Sequence, residues 1–125
     1  MSHIQEFISE TEVWRNKLKI LEEETIRFKL LLAHMLLNGL HKDQLEYPEY
    51  FQNRFLKIDE RISLLRHEVL EHQHLLQEIE KEHSPNHSNL ADQHKDLGIK
   101  IGHIKENFDK LSQEFASYAS GNMPA

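Results

Sequence analysis

The chain has no cysteine, which excludes a disulfide framework, a thiol nucleophile and any thiolate metal site. Histidine, aspartate and glutamate remain as the only strong metal ligands. Proline and glycine are scarce, 3 and 4 in 125 residues, so few positions can interrupt a helix. A membrane-length apolar run is also missing. The most apolar stretch, Leu30 to Leu40, contains His34 and Asn38 and falls well short of the roughly 20 residues that a span needs. The start, Met-Ser-His-Ile-Gln-Glu, has neither the basic region nor the apolar core of a secretory signal, so the expected compartment is the cytoplasm. An excess of positive charge is absent too. Lysine plus arginine number 15 against 21 acidic residues, a net charge of −6, which argues against a counterion-release grip on phosphate backbones and hence against nucleic acid as a partner.

What remains reads as one soluble domain made of helices. Breakers fall at Asn38-Gly39, at Pro48 and at Ser84-Pro85-Asn86, and between them apolar residues recur every three or four positions. The expected helices cover about 3–38, 48–83 and 86–119, in a single domain 1–119 with a flexible tail at 120–125. Ser2 with Gln5 has capping-box spacing, and Gly39 suits the left-handed residue after a helix. Pro48 and Pro85 suit first turns, and Ser84 or Ser88 can cap the third helix.

The spacing is tighter than ordinary amphipathicity. Ile4, Phe7, Thr11, Trp14, Leu18, Leu21, Thr25, Phe28, Leu32 and Met35 alternate by three and four without a slip, which defines a heptad seam. The second seam runs Phe51, Phe55, Ile58, Ile62, Leu65, Val69, His72, Leu76, Ile79 and His83. The third runs Leu90, His94, Leu97, Ile101, Ile104, Phe108, Leu111, Phe115 and Tyr118. Only two threonines and three histidines break the apolar pattern, so the fold class is all-α, an elongated antiparallel three-helix coiled-coil-like bundle some 45–54 Å long. Folding the chain at its two connections places Trp14 near His72 and Ile101, and Phe7 near Ile79 and His94. In outline this resembles a spectrin-type repeat, a left-handed three-helix coiled coil with a tryptophan, here Trp14, on the first seam. The third helix has no tryptophan and no tandem repeat follows, so the resemblance concerns architecture and implies no activity.

A second apolar stripe, Ile26, Leu30, Ala33 and Leu37, lies at heptad positions b and f, away from the seam. A lone three-helix rod has no use for it. Leu40, Leu45, Tyr47, Tyr50 and Leu56 belong to the same end of the rod. Either residues 40–47 fold over the stripe or another chain does. The expected partner-binding set is Ile26, Leu30, Ala33, Leu37, Leu40 and Tyr50, used for a homodimer or for docking a helical protein partner.

Histidine is abundant, 10 in all, and crowded between His67 and His94. Ligands must converge, and on a helix only positions three or four apart share a face. His67-Glu68-Val69-Leu70-Glu71-His72 is one residue too long for a His-Glu-x-x-His zinc motif, and its histidines stand about 140° apart at roughly 100° per residue. Glu71 to His74 and Glu80 to His83 match di-iron spacing, but both lie on one helix. The remaining candidate is an adventitious Zn, Cu or Ni site at the open end of the rod, built from His3, His83, His87 and His94 with Glu80 or Glu82. His72, in mid-seam, must be hydrogen-bonded and neutral or charged and poorly solvated, so burial should lower its pKa and make stability fall with acidification.

The two seam threonines are expected to bond back to their own helix carbonyls. Gly98 and Gly102 leave room for close approach at a cost in helix propensity. The lysines 95, 100, 105 and 110 spiral around the third helix and form no phosphate-binding stripe. There is no glycine-rich phosphate loop, nucleophile elbow or carboxylate pair in an evident cleft. The resulting expectation is a non-enzymatic interaction module, with no small-molecule substrate and no required cofactor, pairing through the outer face of the first helix. The alternative is a metal-binding or pH-responsive bundle using its histidine-rich end.

Overall fold

The structure, a computed structural model, describes residues 3–38, 46–82 and 89–122. Three α-helices account for all of them but the turn residues Asn38 and Asn89: α1 (His3–Leu37), α2 (Glu46–Glu82) and α3 (Leu90–Asn122). They pack as a helical bundle with no strand among the described residues. At 1.5 Å per residue, the 35 residues of α1 span about 52 Å. No helix among the described residues is long and apolar enough to cross a membrane.

The heptad seams are the interior. Every described seam residue is buried or half-buried, and Leu18, Phe55, Val69, Leu76 and Phe115 have no exposed surface. His83, the last residue of the second seam, lies outside the described residues. Thr11 and Thr25 are fully buried and satisfy their hydroxyls on their own helix, donating to Ile8 O at 2.6 Å and Leu21 O at 2.7 Å. A threonine in a dry seam is tolerated because this back-bond leaves no orphaned hydroxyl.

Helix ends depart from the expected boundaries for identifiable reasons. α2 begins at Glu46, not Pro48. A proline in the first turn costs no hydrogen bond, since the first N–H groups of a helix have no intrahelical partner. α3 runs through Gly121 to Asn122, three residues beyond its expected end, because Ala119 is buried in the core and Ser120 bonds back to Ser117 O at 3.2 Å. Residues 123–125 of the expected tail lie outside the described residues. Asn38 closes α1, donating its backbone and side-chain N–H to His34 O at 3.1 and 3.0 Å, which satisfies a carbonyl that the helix end leaves free. At the start of α3, Asn89 O accepts the first turn's bond from Gln93 N at 2.9 Å. The capping candidates Ser2, Ser84 and Ser88, and Gly39, lie outside the described residues.

Register between α1 and α2 is marked by a ladder of polar pairs one heptad apart. Lys29 pairs with Asp59, Glu22 with Arg66, and Arg15 donates to Gln73 Oε1 at 3.0 Å. Half-exposed pairs of this kind contribute about 0–1 kcal/mol each. An aromatic layer fills the end of the rod near the α1–α2 connection. Phe28 lies 5.4 Å from Phe115 between ring centres, and Phe55 meets Phe115 edge-on at 5.1 Å.

The expected layers need one correction. Phe7 does pack in one cluster with Ile79 and lies 4.0 Å from the His94 ring. Trp14, however, sits on His94 at 4.5 Å and against Gly98, and the partner of His72 is His94. Ile101 was expected in that layer. Leu90, the first residue of α3, packs with Leu76 and Ile79, so α3 begins about one turn below the end of α2. Lower-numbered α3 residues therefore stand at each level.

Candidate functional site

Two features stand apart from ordinary core packing. The first is the outer stripe on α1. Ile26, Leu30 and Leu37 expose 47%, 65% and 85% of their surface, and Ala33 is exposed beside them. The Lys29–Asp59 pair marks the side of each helix that faces the other. Leu56 lies one turn before Asp59 on that same side and is also exposed, so it flanks the stripe.

Tyr50 does not belong to this surface. Its hydroxyl donates to Glu114 on α3 at 3.0 Å, and Arg54 lies over its ring at 5.5 Å, which puts it on the α3 side of α2. Leu40, and the 40–45 part of the segment that could cover the stripe, lie outside the described residues. Tyr47 is exposed and packs toward Tyr118, with ring centres 5.9 Å apart.

The second feature is a hydrogen-bonded chain that crosses all three helices. His72 Nε2 lies 2.9 Å from His94 Nδ1, and His94 Nε2 lies 3.3 Å from Glu10 Oε2. Both imidazoles are buried, whereas the Glu10 carboxylate is half-exposed. A carboxylate only accepts, so the neutral His94 ring carries its proton on Nε2 and offers Nδ1 as an acceptor. His72 must then donate from its own Nε2. The faces of Phe7 and Trp14 hold the His94 ring. Burial lowers the His72 pKa below the ordinary histidine value, and the neighbouring His94 lowers it further. Beside the chain, the buried Gln73 side-chain carbonyl is satisfied by Arg15.

The two metal candidates among the described residues, His3 and His94, do not come together. His94 is inside the bundle and already bonded on both ring nitrogens. His3 is exposed beside Glu6 at 3.8 Å, and His83 and His87 lie outside the described residues. No group of three or more histidine, aspartate or glutamate side chains among the described residues could hold a metal ion.

Sequence reasoning identified His72 as needing a partner but missed which one. Both histidines occupy seam positions of consecutive antiparallel helices. That pattern signals a possible contact, but the level of α3 decides it. Scanned against known protein families, curated proteins and solved structures, the chain matches none.

Proposed function

We propose that this bundle is a non-enzymatic interaction module that pairs with a second copy of itself through the outer face of α1 between Ile26 and Leu37. The observation that carries this reading is the line of exposed large apolar residues Ile26, Leu30 and Leu37, flanked by Leu56. The main seam already has its own complete interior, so these residues do not support the fold from within. Covering them with another chain removes large apolar side chains from water, each contributing about 1.5–3 kcal/mol when fully buried. Two-fold pairing uses the same patch on both copies, so one stripe supplies both halves of the contact. A stable pair buries about 800 Å² per partner, so pairing must draw in the polar rim of the stripe as well as its apolar side chains.

Light scattering coupled to size-exclusion chromatography, over a concentration series, tests this reading. Wild type is expected near twice 14.9 kDa, and Ile26→Glu/Leu30→Glu is expected to be a folded monomer. A wild type that remains monomeric throughout the series would overturn self-pairing and direct attention to a helical partner of another kind.

A further inference from the structure

The buried polar side chains are concentrated at one level. Among the described residues, Thr11, His72, Gln73 and His94 fall at this level of the seams, and Thr25 is the one buried polar side chain elsewhere. This level separates two apolar clusters. On one side is the long core from Trp14 to Met35 with its α2 and α3 partners, and on the other a short one of Leu76, Ile79 and Leu90 with Ile4, Phe7 and Ile8. The short cluster consists of the first turns of α1, the last of α2 and the first of α3. It has few apolar neighbours of its own, and such ends open at lower free energy than the centre of a bundle.

We propose that the His72–His94–Glu10 chain is a proton-operated latch, which holds this end of the bundle closed when the imidazoles are neutral and releases it on acidification while the long core stays folded. The donor pattern sets the mechanism. In the neutral state His72 Nε2–H donates to His94 Nδ1 and His94 Nε2–H donates to Glu10. A first proton on the pair is accommodated if His72 moves its own proton to Nδ1, leaving Nε2 as an acceptor for His94. A second proton has no such solution. It places N–H against N–H across 2.9 Å, with two like charges in a buried layer, and the cheapest relief is separation of α3 from α2 at that level.

Of the groups around the layer most are already engaged, and among the described residues Asp96 makes no hydrogen bond or ion pair with His72. From α1, Glu10 faces His94, while Arg15 is bonded to Gln73. The shallow cleft beside His72 is lined by Glu68 and Glu71 of α2 and by Asp96 and Lys100 of α3. Glu68 is engaged by Lys100 at 3.2 Å and Glu71 by His67 at 2.9 Å. Burial and His94 keep the His72 pKa down. In the unfolded chain a histidine at position 72 has the ordinary value near 6.5, so the unfolded and opened states take up more protons there as pH falls. The latch is therefore intact above about pH 6.5 and weakens below it, toward the lowered folded value.

Hydrogen–deuterium exchange from about pH 7.5 to about pH 5, the range in which histidine changes charge, tests the latch. Rates are read as protection factors, so that the pH dependence of intrinsic exchange divides out. The expected result is that segments 4–10, 76–82 and 90–94 lose protection several-fold more than 18–32, 55–65 and 101–115. His72→Gln keeps a donor toward His94 Nδ1 without a titrating ring at that position, and His72→Leu/His94→Leu removes the imidazoles altogether. Both are expected to flatten the response. Equal loss of protection at the two ends of the wild-type rod, or an unchanged wild-type profile, would overturn the latch. So would a folded variant that opens with pH as the wild type does.

Discussion

Gly98 and Gly102 stand one turn apart in the middle of α3, and the same substitution is expected to act on them with opposite sign. Alanine in place of glycine within a helix gains about 0.8–1.0 kcal/mol in intrinsic propensity, part of it from restricting the unfolded chain. At Gly102 nothing lies within 4 Å of the added methyl, so the gain is retained. Gly102→Ala should stabilise by about 0.5–1 kcal/mol, which raises Tm by roughly 2–5 °C for a chain of this size. At Gly98 the added carbon stands 3.1 Å from Trp14 Cζ2 and 3.7 Å from Cη2. The indole cannot retreat freely, because its ring lies 4.5 Å from the His94 imidazole and is buried.

Forcing an extra carbon into a packed site costs about 1–3 kcal/mol, so Gly98→Ala should be neutral to destabilising by about 2 kcal/mol. Urea denaturation followed by far-ultraviolet circular dichroism measures both, and a Trp14→Phe background isolates the contact. With the smaller ring in place, Gly98→Ala should recover most of the propensity gain. If Gly98→Ala stabilises the wild type as much as Gly102→Ala does, Trp14 is not packed against α3 as described.

Three further outcomes follow from the interior. Wild type should melt at a lower temperature at about pH 5.5 than at about pH 7.5, because the stabilising contribution of a histidine with a lowered folded pKa is present above about 6.5 and shrinks below it; thermal melts of His72→Leu should show a smaller drop, and an equal drop would remove His72 as the source. Thr25→Val should change stability by less than about 1 kcal/mol in chemical denaturation, since its hydroxyl serves only its own helix, whereas Phe115→Ala, fully buried in the aromatic layer, should cost about 3–5 kcal/mol.

The periodic features were legible because a helix places every third or fourth residue on one face. Leu18, Ile62 and Phe108 could be assigned to the interior from spacing alone, and so could the back-bonded threonines, since a buried hydroxyl on a helix has its own carbonyls nearest. Whatever depends on the offset between helices was not legible. The height of α3 against α2 is set by where Leu90 starts to pack, and that choice replaced Ile101 with His94 opposite His72. Tyr50 was grouped with the α1 stripe because it is close in sequence to the helix start, yet the direction it faces is set by rotation of α2 and its bond to Glu114. Gln73 and Glu10 carried no apolar signal at all. They flank the seam, and their roles emerge only once Arg15 and His94 are in place.

The ladder of Lys29–Asp59, Glu22–Arg66 and Arg15–Gln73 also determines which misalignments are penalised. The apolar seams repeat every seven residues, so burial alone tolerates a slide of α1 along α2 by one heptad. Sliding in one direction sets Lys29 opposite Arg66 and separates Glu22 from its arginine, although Arg15 then meets Glu80. Sliding in the other sets Glu22 opposite Asp59 and Arg15 opposite Arg66, each a repulsion in place of an attraction. The order of signs along α1, plus, minus, plus, thus works as a vernier scale. It contributes little to the depth of the native minimum and much to its separation from the neighbouring ones.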